Sequence, residues 1–250
     1  AGFLRWENAF APTTTLYAGL GHSERAPDYW ERSKSPGGTA STFFVKPEKT
    51  TQLDTGAIYA AGPLRASASA FYAKHKDFIQ IRQINAFATD ALNIDATTYG
   101  LEGDLSYALG RFWKTWGTLA WVHGENDSSG KPLSQIPPLE ARLGAGYDDK
   151  TWSAGALLRM VQGQKRYDTG YGNIVGQDIG ESAGFAIVSL NAGYRPAKGF
   201  LVTAGVDNLF DRTYAEFISR SGAMVGGFAQ TIRVNEPGRT LWLKANIALN

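Results

Sequence analysis

The sequence predicts an all-β chain: a transmembrane antiparallel β-barrel wall of about eleven strands. Three observations carry this reading. Hydrophobicity alternates with a period of two in many short segments, tight turns alternate with long polar stretches, and aromatic residues flank the tight turns.

The candidate strands lie near 3–10, 14–24, 50–61, 64–82, 97–109, 112–124, 139–148, 151–162, 185–195, 200–211 and 239–250. In the fifth, Tyr99, Leu101, Leu105, Tyr107 and Leu109 share one face, and Glu102, Asp104 and Ser106 the other. The ninth sets Val188, Leu190, Ala192 and Tyr194 against Ser189 and Asn191. The last sets Leu241, Leu243, Ala245, Ile247 and Leu249 against Trp242, Lys244 and Asn246. The segment 112–124 carries aromatics on both faces, and its pattern gives no orientation.

Tight turns are expected at Ala11-Pro12-Thr13, Ala61-Gly62-Pro63, Gly110-Arg111, Asp148-Asp149-Lys150 and Pro196-Ala197-Lys198-Gly199. Long loops are expected at 25–49, 83–96, 125–138, 163–184 and 212–238, alternating with the tight turns without exception. An outer-membrane barrel produces this asymmetry, because its periplasmic turns are short and its extracellular loops long. Tyr107, Phe112, Trp113, Tyr147, Trp152, Tyr194 and Phe200 flank the tight turns, where an aromatic girdle would lie.

Composition removes other classes. No run approaches the ~18 apolar residues of a spanning helix, and a formal charge of +2 without a polybasic block gives no case for nucleic acid. The absence of cysteine removes disulfides and thiolate metal sites. Residues 1–6 lack the charged start and apolar core of a signal peptide. An odd strand number puts residue 1 outside, whereas bacterial single-chain barrels have even numbers. The sequence therefore leads to the expectation that partner strands precede Ala1.

Several segments resemble the TonB-dependent outer-membrane receptors. The most specific is Gly205-Val206-Asp207-Asn208-Leu209-Phe210-Asp211-Arg212-Thr213-Tyr214, followed by Glu236-Pro237-Gly238-Arg239. Tyr17-Ala18-Gly19-Leu20-Gly21 with Arg25-Ala26-Pro27, Lys46-Pro47-Glu48-Lys49-Thr50, Tyr99-Gly100-Leu101-Glu102-Gly103 and Ile136-Pro137-Pro138 also match the family pattern. The resemblance implies a barrel of 22 strands with a plugged lumen. Residues 1–250 would be its C-terminal half, with the plug and the first half of the barrel outside this chain. It also implies a location in the bacterial outer membrane among lipid and lipopolysaccharide, no enzymatic activity, and TonB as a partner through the plug. The family usually ends in an aromatic residue, where this chain ends in Leu249-Asn250.

Residues 22–31 together with 135–142 are similar to the copper receptors of the OprC/NosA type, which implies copper, or another metal or metal chelate, as cargo. The copper ligands of that group are a Cys/Met motif in the plug and a His-x-Met on an upstream strand. Neither occurs here, so no ligand is carried over, and no intrinsic cofactor is expected.

Within the chain the metal candidates are Met160, Met224 and His22, with His75 and His123 as further imidazoles. Each also reads as an ordinary rim or loop residue. Asp207, Asn208 and Asp211 lack the spacing of a calcium loop and read as a turn-stabilising cluster. Glu102 and Asp104 read as lumen lining. Hydrolysis is disfavoured: Ser69 and His75 lie roughly 20 Å apart along one strand, and no Gly-x-Ser-x-Gly elbow is present. Arg166, Tyr167, Tyr171, Asn173, Gln177 and Asp178 could contact a ligand from their long loop. The rival readings are a passive pore formed by a small closed barrel and a secreted all-β binding module.

Overall fold

The computed structural model describes residues 1–32, 44–85, 88–173, 175–222, 226–227 and 232–248. The main strands are β1 (Gly2–Ala11), β2 (Thr14–Arg25), β3 (Glu48–Ala61), β4 (Leu64–Asn85), β5 (Ala88–Leu109) and β6 (Trp113–Asn126). After the two-residue β7 (Lys131–Pro132) come β8 (Glu140–Asp148) and β9 (Trp152–Val161). The two-residue β10 (Tyr171–Gly172) precedes β11 (Phe185–Ala197), β12 (Phe200–Asp207) and β13 (Thr240–Ile247). A four-residue helix, α1 (Tyr29–Arg32), follows β2.

The eleven long strands form one antiparallel meander in chain order; β7 pairs off the path with β6, and β10 with β4. Among the described residues no pairing joins β1 to β13, so the sheet is open. Among the described residues no helix is long and apolar enough to cross a membrane.

Register gives the sheet two chemically distinct faces. Leu20 pairs with Leu53, Leu53 with Tyr72, Tyr72 with Tyr99 and Tyr99 with His123, all on one face. Farther along, Gly117 pairs with Leu143, Leu143 with Leu158 and Leu158 with Val188 on the same face. Leu241 and Leu243 extend that face at β13 and remain 77% and 74% exposed, though apolar. The opposite face carries Arg5, Glu7, Asp54, Ser67, Glu102, Asp104, Arg142, Asn191 and Lys244. Strand periodicity alone produces this separation, since register fixes every side chain to one face or the other.

Segment 112–124, unoriented by its sequence, is settled by pairing. Trp113 and Trp121 lie on the apolar face, and Trp116 lies on the polar face over Gly144. A Cβ at Gly144 would collide with that indole, so glycine is needed for close approach. At the short-turn end Trp113 lies 5.1 Å from Tyr147, and Trp152 stacks on Tyr194 at 4.4 Å. The expected aromatic row is thus present on the apolar face. The tight turns also stand as expected, with Gly62 and Gly110 at positive φ.

Two expectations need correction. Segment 83–96 is strand wherever it is described, because β4 runs to Asn85 and β5 starts at Ala88; residues 86–87 lie outside the described residues. Long and short connections therefore do not alternate without exception. A bulge between His75 and Phe78, with Asp77 at φ 54°, marks where this hairpin extends beyond the other strands. Its second strand sets Leu92, Ile94 and Ala96 against Asn93 and Asp95, and Ile79, Ile81 and Ala91 bury against Val45. The second correction is that β12 ends at Asp207, because Asn208 and Asp211 adopt positive φ and turn the chain.

Much of the buried apolar core sits above the sheet, where the long segments fold onto the projecting hairpin. Ile94, Ala96 and Leu133 form one cluster there, with Phe78, Leu92 and Ile136 packed against it.

Candidate functional site

The polar face of the sheet and the roof of long loops at one end form the candidate site. On the polar face arginines and carboxylates neutralise one another. Arg159 bridges Glu140 at 2.7 Å and Glu216 at 2.5 Å, tying β9 to β8 and to the last long loop. Arg25 joins Glu31 at 2.9 Å and Glu48 at 2.8 Å, which fixes α1 against the β2–β3 rim. Asp104 accepts from Ser67, and Arg5 lies 4.1 Å over the Tyr17 ring.

Loop 163–184 folds inward around one carboxylate. Asp178 is 1% exposed and accepts from the backbone N–H of Gln135 at 3.0 Å and of Asp168 at 3.0 Å. The Gln135 side chain adds a third donor at 2.9 Å. Burial pushes this carboxyl above its ordinary value against the pull of those donors. The backbone of the same loop pairs with the projecting hairpin, Tyr171 with Arg82 and Gly172 with Ile81. Arg233 locks the loop to the following one, donating to the carbonyls of Gly180 at 2.5 Å, Glu181 at 2.7 Å and Phe217 at 3.2 Å. Burial lowers its pKa.

Asp178→Ala would leave three donors unpaired at about 1–3 kcal/mol each. Tryptic cleavage at Lys165 and Arg166 in the folded protein should then speed up by at least about tenfold. Unchanged protection would show that the loop does not depend on this carboxylate. The closed loop holds the Asp178 proton more tightly than an open one. Closure is therefore firmest in acid, below the open-loop pKa, and weakens as pH rises through the raised value. Amide exchange across 168–173 against pH measures this.

The sequence-predicted residues are scattered. Met160 pairs with Ala141 and Ala186 on the apolar face, turned away from the polar wall. His22 also lies on the apolar face near the rim, 2.9 Å from Thr51 Oγ1. His75 sits on the polar face between Thr50 and Thr98, 2.9 Å from each hydroxyl. His123 stacks on Tyr99 at 4.7 Å. Met224 lies outside the described residues. Among the described residues no group of three His, Asp or Glu is placed to hold a metal. Arg233, Arg159 and Glu216 carry no pattern in sequence, since their partners come from remote loops.

The signature Asp207–Tyr214 with Pro237–Arg239 is a clasp. Asn208, 3% exposed, donates through Nδ2 to the carbonyls of Arg212 at 2.8 Å and Pro237 at 3.4 Å. Its Oδ1 accepts from Arg212 N at 2.8 Å. Asp211 accepts from Arg239 N at 2.7 Å, and Leu209 N reaches Val188 O at 2.8 Å. Tyr214 packs its ring 4.3 Å from Phe185, while Phe210 is exposed. A Cβ on Gly238 would lie 2.6 Å from the Asp211 carboxylate. The cluster therefore joins the end of β12 to the start of β13.

Comparison with known proteins agrees with this architecture. Residues 1–209 match the family described as TonB dependent receptor-like, beta-barrel. The ferric enterobactin receptor of Pseudomonas aeruginosa is 26% identical over 272 aligned positions, covering 96% of this chain and 36% of the relative. The ferrienterobactin receptor of Escherichia coli is 30% identical over 65% of this chain and 24% of its own length. The solved copper transporter OprC superposes with a TM-score of 0.91 at 45% identity, over 98% of this chain and 39% of that one. A mutant of the P. aeruginosa ferric enterobactin receptor superposes at 0.75 with 23% identity, over 98% of this chain and 39% of that one, a likeness of fold. The chain thus spans well under half the length of these relatives. With a two-faced antiparallel meander, a β12–β13 clasp and a family match over most of its length, the chain belongs to the TonB-dependent receptor β-barrel family.

Proposed function

We propose that this chain is the C-terminal eleven-stranded part of a plugged outer-membrane barrel that imports copper. The observation that carries the barrel reading is the continuous apolar face opposed to a charged one. Lipid accepts the first and a wet lumen the second. The edges of β1 and β13 support a larger wall, because each unpaired backbone group in hydrocarbon costs several kcal/mol. Capture would occur at the roof of loops, and the plug, moved through TonB, would open the way along the polar wall.

Copper is favoured over a ferric siderophore by the much higher identity to a copper transporter than to the enterobactin receptors. The inner wall supports the same choice. Arg25, Arg142 and Arg159 are already paired with carboxylates, which leaves them less able to receive an anionic chelate.

The test is competition on the intact protein purified in detergent, with copper, iron and zinc at equal concentration and ferric enterobactin as a fourth arm. Copper should be retained in preference to the rest. Preferential retention of the ferric chelate would replace copper with a siderophore. A passive pore would conduct in planar bilayers without any partner, and a secreted module would stay monodisperse without detergent.

A further inference from the structure

We infer that the tight-turn end of the sheet is a docking surface for the acidic face of a water-soluble periplasmic protein, seated on Lys114, Lys150 and Lys198. This rests on the membrane reading proposed above, which puts the tight turns in the periplasm. Within three residues of those turns stand six cations, Arg65, Arg111, Lys114, Lys150, Arg195 and Lys198, against two carboxylates, Asp148 and Asp149. The whole chain carries a formal charge of only +2, so the rest of it is net acidic. The cationic surplus is confined to one end.

Both carboxylates are already occupied. Asp148 accepts from Lys150 N at 2.7 Å and holds the Arg195 guanidinium at 2.9 Å. Asp149 accepts from Thr151 N at 2.8 Å, Trp152 N at 2.7 Å and the Tyr147 hydroxyl at 2.9 Å. Arg65, Arg111, Lys114, Lys150 and Lys198 are exposed and have no ion pair among the described residues. At the other end the cations of β2, β3 and β4 are neutralised: Arg25 by Glu48, Lys49 by Glu24, Lys74 by Asp127, Lys76 by Asp95 and Arg82 by Asp90. Mutual repulsion at the tight turns is thus left unrelieved within the chain, and a negatively charged partner would relieve it.

Placement favours a protein over a lipid. Arg65 shares the polar face of Ser67, and Lys114 that of Trp116 and Thr118, so both stand at the mouth of the lumen. The Trp113–Tyr147 and Trp152–Tyr194 rings that would meet headgroups lie on the opposite face. Strands β5, β6, β8, β9 and β11 separate β4 from β12. At about 4.8 Å per strand the cations therefore line an arc of roughly 29 Å. Near its far end Lys150, Arg195 and Lys198, with Leu201 and Asn246, rim an open basin of about 960 Å³. An arc of that length fits a surface carrying several carboxylates rather than one headgroup. With copper as cargo, the same field repels a free ion at the mouth and draws in an acidic acceptor, which favours handover to a docked protein.

The test uses the intact protein in detergent, with fluorescent polyglutamate, polyglutamine and phosphatidylglycerol as probes and anisotropy as the readout for the peptides. Wild type should bind polyglutamate but not polyglutamine, and more weakly as salt rises. Lys150→Glu combined with Lys198→Glu should weaken binding by about tenfold or more. The same double reversal at the long-loop end, Lys46→Glu with Lys165→Glu, should bind as wild type. Heat-modifiable gel mobility confirms folding, and Lys150→Gln with Lys198→Gln serves if the glutamate variant does not fold. Unchanged binding by the turn variant, or an equal loss in the long-loop variant, overturns the proposal. So does a wild type that binds no peptide because its own plug covers these cations. Tighter binding of phosphatidylglycerol than of the peptide at the same two lysines would assign the surface to lipid and also overturn it. Each of these results leaves the barrel reading standing; solubility without detergent would instead sink that reading.

Discussion

Replacing Asn208 with alanine is expected to be among the most damaging single changes in this chain. The side chain satisfies the Arg212 N–H and the carbonyls of Arg212 and Pro237 from a buried position at φ 50°. Each partner left unpaired costs about 1–3 kcal/mol when shielded from water, and a left-handed backbone without asparagine or glycine adds roughly 1 kcal/mol. Water reaches Arg212 and Pro237, so the total lies at the low end of that range, about 4 kcal/mol, and falls on the junction that positions β13. The fraction of protein reaching the heat-modifiable folded form should drop sharply in Asn208→Ala. Asn208→Gly separates the causes, since it relieves the backbone while still losing every hydrogen bond. Recovery of wild-type assembly in the glycine variant would show that the clasp's hydrogen bonds contribute little.

Leu143→Arg and Thr118→Arg introduce the same side chain on adjacent strands but on opposite faces. Leu143 is 53% exposed between Gly117 and Leu158 on the apolar face, well above the Trp113–Tyr147 row. An arginine near the bilayer midplane of a barrel costs about 2–4 kcal/mol. Thr118 lies between Asp104 and Arg142 on the polar face, where a cation meets water and a carboxylate. Its substitution should change stability by less than about 1 kcal/mol. Denaturant unfolding of the intact protein in phospholipid reads both. Equal midpoints for the two variants would mean that the faces do not meet different solvents, and the membrane reading would fail.

Much of the wall was legible in the sequence. Alternation such as Leu241, Leu243, Ala245 and Ile247 fixes which residues share a face, and the tight turns fix where one strand follows another. Segment 83–96 carries only a short alternating run, Leu92, Ile94 and Ala96 against Asn93 and Asp95, and its strand character comes from pairing with β4. The signature residues were recognisable as a pattern, but their joint action as a clasp depends on chain reversal at Asn208 and Asp211. Arg233, Asp178 and the Arg166–His123 pair had no pattern to find, because their partners lie in other loops.

The sequence by itself determined most of the strands, their order and, wherever it alternates cleanly, the partition of side chains between two faces. These follow from the fixed two-residue period of the β-backbone. The tertiary structure alone decided which apolar positions meet rings or glycines, how far the β4–β5 hairpin projects, and how the loops roof the polar wall. Those contacts join residues far apart in the chain, and no local periodicity encodes which remote donor will meet which remote acceptor.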